Sequence, residues 1–216
     1  MKDKILKLLE IILILVVVFS GGMCCVDIMQ NYHPEFTRNE NAMPYTITNT
    51  TTTNNPENAK REDAIGSLRC DAAGLAVKTV FSDKQSVCDK KDCAALFSPF
   101  ETLNLQNPGY AIVADHNYQS FWQLQYMKIG DELLLDSDIY GQFIYTIDDI
   151  QIGTQNGEKT DIIMDSGESM MEWCSSQENN GLLLYTCYPF KQNIFRANTQ
   201  QRYLVFCSLK DCTKLV

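Results

Sequence analysis

Three side chains in this sequence have the types and the placement for acyl-transfer chemistry: Cys187, His116 and Arg202. A thiolate is a strong nucleophile, and a thiol of pKa about 8.5 becomes one when an imidazolium or a guanidinium stands beside it. An imidazole can give a proton to a departing amine and take one from an incoming nucleophile. A guanidinium does not lose its proton, so Arg202 is no base; its fork of donors suits an oxyanion or a substrate carbonyl. His33 is the other of only two histidines, and it falls in a segment with no further chemistry, where it reads as solvated. Taken singly, the three residues have duller readings: a packed thiol, an exposed imidazole, a surface guanidinium. What joins them is a common position at strand ends.

Cys187 closes the run Leu182-Leu183-Leu184-Tyr185-Thr186, which begins after Gly181 and is cut off by Pro189. Proline lacks the N–H that a central strand must donate, so the thiol sits at a strand end, beside a loop. Arg202 opens the apolar run Tyr203 to Leu209. If the two runs pair as antiparallel neighbours, the end of one lies beside the start of the other, and Cys187 faces Arg202. The loop between them, Tyr188 to Gln201, is long for a hairpin, and long loops in compact domains tend to be functional. His116 likewise follows a strand-like run, Tyr110 to Ala114, so all three can converge at one end of one sheet.

The remaining runs are of the same kind. Ile65 to Leu68, Leu75 to Phe81, Leu133 to Leu135 and the alternating stretch Phe143 to Ile152 are separated by turn residues, with a hairpin signal at Tyr140-Gly141. A polar insertion carries Cys88 and Cys93, and Ser120 to Met127 reads as one short helix. Seven or eight short strands with hardly a helical stripe argue for an all-β domain, a closed or nearly closed β-barrel.

The N-terminus carries a different signal. Lys2, Lys4 and Lys7 precede nine consecutive apolar residues, Ile11 to Phe19, and Leu8 to Val26 holds a single charge, Glu10. Those nineteen residues approach the roughly 20 needed for a transmembrane helix. The preceding lysines set the N-terminus in the cytoplasm and the rest of the chain outside the cell membrane. The expected organisation is a cytoplasmic tip and transmembrane anchor over 1–30, a Thr/Asn-rich extracytoplasmic linker over 31–62, and a catalytic barrel over 63–216. The linker composition, Tyr45 to Pro56, cannot bury enough apolar area to offset the entropy of ordering. A net charge of −9 without a Lys/Arg cluster excludes nucleic acid as a partner.

Thr186-Cys187 at the end of an apolar strand, Ala114-Asp115-His116-Asn117 with Phe121 shortly after, Ile129-Gly130-Asp131, and Arg202-Tyr203-Leu204-Val205 together resemble a sortase. The likeness runs from Ile65 to about Leu209, and the form Thr186-Cys187-Tyr188-Pro189-Phe190 is most similar to the class D kind. Sortases are membrane-anchored cysteine transpeptidases, mainly of Gram-positive bacteria, built on an eight-stranded barrel. The resemblance implies that the chain cleaves a C-terminal sorting motif of secreted proteins and joins the new carboxyl end to an amine of peptidoglycan or a pilin. It gives Cys187 as nucleophile, His116 as acid and base, and Arg202 as stabiliser of the oxyanion or substrate. Asp115 stands where the family usually has Gly; pointing inward, it would place an acid beside the imidazole. The segment Thr154 to Gly181 reads as a lid or substrate-facing loop.

Two other readings of the residues stay open: an exported thiol hydrolase of cell-wall peptides, and a non-catalytic barrel that binds without chemistry. Six further domain cysteines, Cys70, Cys88, Cys93, Cys174, Cys207 and Cys212, are free thiols or disulfides. Cys88 to Cys93 and Cys207 to Cys212 share a Cys-x-x-Lys-Asp-Cys spacing, but structural zinc pairs usually stand closer, so zinc ranks below both. Asp136-Ser137-Asp138, Asp148-Asp149 and the acids between Asp161 and Glu172 read as solvated faces rather than a calcium site. No metal or cofactor is expected.

Overall fold

A computed structural model of the chain describes residues 36–48, 63–96, 109–137, 139–157, 161–190 and 200–213. The expected transmembrane segment lies outside these residues, as does most of the loop between Cys187 and Arg202. Among the described residues no helix is long and apolar enough to cross a membrane.

Nine strands form one sheet: β1 (Ala64–Cys70), β2 (Leu75–Phe81), β3 (Cys93–Leu96), β4 (Gly109–Ala114), β5 (Glu132–Ser137), β6 (Gly141–Gln155), β7 (Ile162–Ile163), β8 (Asn180–Cys187) and β9 (Gln201–Cys212). Their order is β5-β1-β2-β3-β4-β8-β9-β6-β7, and an additional β5–β6 pairing closes eight of them into a ring, with two-residue β7 hung on β6. This is the expected eight-stranded closed barrel. The short helices are α1 (Gln85–Cys88), a 3-10 helix at Ser120–Tyr126 and α2 (Met170–Ser176). Closure bends the strands sharply in places. At the β1 bulge Gly66 has φ +153°, and a Cβ there would lie 2.2 Å from the Asp136 carbonyl oxygen, so only glycine lets β1 pass β5 so closely.

Strand periodicity decides the core. Ala111 and Val113, Leu182 and Leu184, and Val205 and Cys207 point into the barrel, where Phe121, Trp122 and Leu124 of the 3-10 helix meet them. The intervening Tyr110, Ile112, Leu183, Leu204 and Phe206 point outward and are buried as well, beneath Met170 and Cys174 of α2. That second layer explains why β8 reads as an uninterrupted apolar run, the pattern of a strand covered on both faces. It also changes the reading of Thr154 to Gly181 as a loop. The segment holds β7 and α2, and α2 begins at an N-cap in which the Ser169 hydroxyl accepts the Glu172 amide N–H at 3.1 Å.

Two further differences have local causes. Strand β3, which pairs parallel with β2 and antiparallel with β4, is only Cys-Ala-Ala-Leu, too short to stand out from the polar insertion around it. Residues 36–48, assigned from composition to the linker, lie along the barrel. Arg38 forms a bidentate pair with Asp131 at 2.5 and 2.6 Å, the Asn39 N–H donates to the Ala72 carbonyl, and the Tyr45 N–H donates to Glu132 at 2.8 Å. Composition marks where a chain cannot form a core of its own, but not where it borrows one.

Candidate active site

Pairing brings the three strand ends together. Strands β4 and β8 are parallel neighbours in register Ala114↔Tyr185, so Asp115 and His116 leave the sheet at the same end as Thr186 and Cys187. Strand β9 runs antiparallel to β8 with Cys187 opposite Arg202. All three side chains line one cavity of about 480 Å³, which Thr186, Cys88 and the two methionines that open α2 also line.

Each position is held by named contacts. The buried Thr186 hydroxyl donates to the Asp115 carbonyl at 2.6 Å, tying the exit of β8 to that of β4. Beyond Cys187, the Asn117 amide donates to the Pro189 carbonyl at 2.9 Å, and the Phe190 ring packs 4.9 Å from Tyr203 and 6.1 Å from Trp122. These rings anchor the segment that follows the thiol on the barrel interior. The Arg202 guanidinium donates to the Gln201 carbonyl at 2.9 Å and to the Gln155 side-chain carbonyl, which aligns its fork along the edge of β6.

Asp115 does point inward, but its carboxylate grips the His116 backbone rather than the ring. Oδ1 accepts the His116 N–H at 2.7 Å, and the Ser120 and Phe121 amides donate to the same carboxyl. Burial, only partly offset by these amides, pushes this carboxyl up from 3.8 to about 7. The imidazole has other neighbours. Nε2 lies 2.9 Å from Asp89 Oδ1 and 3.2 Å from the Gln85 amide, and the ring stacks on Tyr118 at 4.7 Å. No hydrogen bond joins this ring to the Cys187 thiol among the described residues. Asp89, Gln85 and Tyr118 carried no sequence signal as site residues; α1 and its C-cap, inside what reads as a polar insertion, supply Gln85 and Asp89.

The other thiols separate from Cys187 by environment. The six cysteines weighed as disulfide partners are free. Burial raises Cys70 and Cys88 to about 11 and Cys174 to about 12, and drives Cys207 well above its ordinary value, so these four stay protonated at neutral pH. Cys187 is only partly buried and opens on the cavity. No cluster of three or more His, Cys, Asp or Glu side chains suited to a metal ion occurs among the described residues.

A family model for the sortase domain matches residues 68–210. The chain belongs to the sortase family. It is thus, in general terms, a cysteine transpeptidase of the sortase kind. Solved structures share the fold: sortase C of Clostridium perfringens with its C-terminal cell wall sorting motif has a TM-score of 0.53 at 16% identity, over 71% of this chain and 74% of that one. Sortase C of C. perfringens SM101 gives 0.52 at 16%, over 71% and 73%, and sortase C1 of Streptococcus agalactiae gives 0.51 at 13%, over 72% and 74%. No curated protein matches the sequence. The likeness to class D rests on the residues at the end of β8 alone.

Proposed function

We propose that this sortase cleaves a sorting motif near the C-terminus of secreted proteins and transfers the acyl fragment to an amine of peptidoglycan or a pilin. The observation that supports the reading best is the register of β8 and β9, in which Cys187 pairs with Arg202 at the end of the sheet where His116 leaves β4, with all three residues lining one cavity. The Cys187 thiolate adds to the scissile carbonyl, and the oxyanion that forms takes hydrogen bonds from Arg202. The C–N bond then breaks, the amine leaves with a proton from His116, and a thioester remains on Cys187. An acceptor amine attacks that thioester, gives a proton back to His116, and the C–S bond breaks to restore the thiolate.

The solved C. perfringens sortase C that holds its sorting motif supports a peptide substrate of this kind here. The N-terminal segment would hold the domain at the outer face of the cell membrane, near both substrates. Neither metal nor cofactor enters the scheme. The test is intact-mass spectrometry of the full chain in mild detergent, incubated with peptides drawn from the C-terminal regions of secreted proteins. The reading predicts an acyl adduct that maps to Cys187, is absent in Cys187→Ala and is discharged by hydroxylamine. No adduct on any peptide, or one on another cysteine, overturns it.

A further inference from the structure

His116 leaves β4 on a turn, so neither strand fixes the orientation of its ring. Three side chains do so instead. Tyr118 stacks on one face, with planes 15° apart, while Asp89 and Gln85 meet the Nε2 edge at 2.9 and 3.2 Å. Asp89 is the C-cap residue directly after α1, the one-turn helix between β2 and β3. Its carboxylate is 60% exposed whereas the imidazole is 18% exposed, so Asp89 reaches in from solvent to a ring half-sunk in the cavity wall. A carboxylate only accepts hydrogen bonds, so the closer contact, at 2.9 Å, requires the proton on Nε2, and the Gln85 amide nitrogen, itself a donor, then abuts the ring without a hydrogen bond to it. Among the described residues Nδ1 has no such partner.

We propose that Asp89 is a positioning residue for His116: it holds the proton on Nε2 and leaves Nδ1 as the nitrogen that exchanges a proton with the substrate. The inference rests on the transpeptidase reading above and adds a residue to it. In any acid and base catalyst built on imidazole, the acceptor on one nitrogen fixes tautomer and ring angle, and thereby determines what the other nitrogen can do. Asp115 performs the complementary task, holding the backbone of the same residue through its N–H. The chain thus grips His116 with two carboxylates, one on the main chain and one on the ring.

The charged and titratable groups around the ring are Asp89 after α1, Cys88 within it, Lys84 and Asp83 before it, Asp115 from the exit of β4, Tyr118, and Tyr185, Cys187 and Arg202 in the cavity. Of these, Asp89 alone makes an ion pair with His116. Because it is largely solvated, removing it leaves the fold intact. An ion pair so exposed contributes at most about a fivefold effect, and salt screens it.

The experiment uses the full chain in detergent and the Asp89→Ala variant. With only two histidines in the chain, ring nitrogen NMR resolves each, and His33→Ala assigns the pair. The expected result is a hydrogen-bonded Nε2–H signature for His116 that is lost in Asp89→Ala while the His33 signals stay in place. With a peptide that acylates Cys187 in the wild-type chain, adduct formation is about two- to fivefold slower in the variant, at an unchanged urea midpoint. High salt slows the wild type toward the variant. Unchanged His116 ring signals, or equal acylation rates at low salt, overturn the proposal. Failure of the wild type itself to form an adduct instead refutes the transpeptidase reading, and the NMR result still decides whether Asp89 holds the ring.

Discussion

Asp115→Asn should make the protein more resistant to alkali. Among the described residues Asp115 is the one charged residue in the buried set, at 5% exposure, and its Oδ2 is enclosed without a partner. Burial raises the carboxyl from 3.8 to about 7, so the folded state keeps a proton that the unfolded chain gives up near pH 4. The sign follows directly. Stability from this group is fully present at acid pH and is lost as pH rises through about 7, when the fold must bury an anion. At about 1.4 kcal/mol for each pH unit between the two values, the full swing is about 4 kcal/mol, of which roughly 2–3 kcal/mol falls between about pH 5 and pH 8. Asparagine keeps an oxygen for the His116, Ser120 and Phe121 amides but does not titrate. Urea unfolding of the chain and of Asp115→Asn across that range should therefore show the difference in stability moving toward the variant by that amount. Titrations at distant sites cancel in the comparison. A difference that stays constant with pH, or that moves toward the wild type, refutes the claim that this carboxyl is buried and titrates near neutrality.

Other substitutions probe other parts of the argument. Arg202→Lys should slow acylation of Cys187 by about 10²-fold, because an ammonium cannot reproduce the fork that Gln155 and the Gln201 carbonyl align; a rate within twofold of wild type removes Arg202 from the site. Gly181→Ala puts a Cβ 2.2 Å from the Tyr110 ring across the β4–β8 pair and should cost about 1–3 kcal/mol in urea unfolding. In a Tyr110→Ala background, itself destabilised by loss of the ring, the further cost of Gly181→Ala should nearly vanish. Arg38→Ala leaves Asp131, whose side chain is 9% exposed, with only the Lys128 N–H in place of the guanidinium. It should cost about 2–3 kcal/mol and open residues 36–48 to limited proteolysis, while unchanged protection would mean that the other contacts suffice.

The strands that carry the candidate site residues were legible because their signals are local. Leu182 to Thr186 ends on Cys187 before a proline, Arg202 heads an apolar run, and antiparallel pairing of those two runs follows from their succession in the chain. The motifs around these residues also identify the family, which the domain match bears out. What the tertiary structure alone decided is everything that depends on partners distant in sequence. Strand β4 pairs parallel with β8, some seventy residues on, and only that pairing brings His116 to the thiol's end of the sheet. Strand β3 exists because β2 and β4 flank it, and α2 is placed by the outward faces of β4, β8 and β9, although its own segment looks like a loop. Of the expected linker over 31–62, residues 36–48 are held on the barrel by Arg38 on Asp131, while most of the Thr/Asn-rich run lies outside the described residues. Asp89 reaches His116 for the same reason. Periodicity and turn residues record how a segment folds on itself, whereas a contact between remote segments depends on the barrel's closure, to which each short strand contributes too little to announce it.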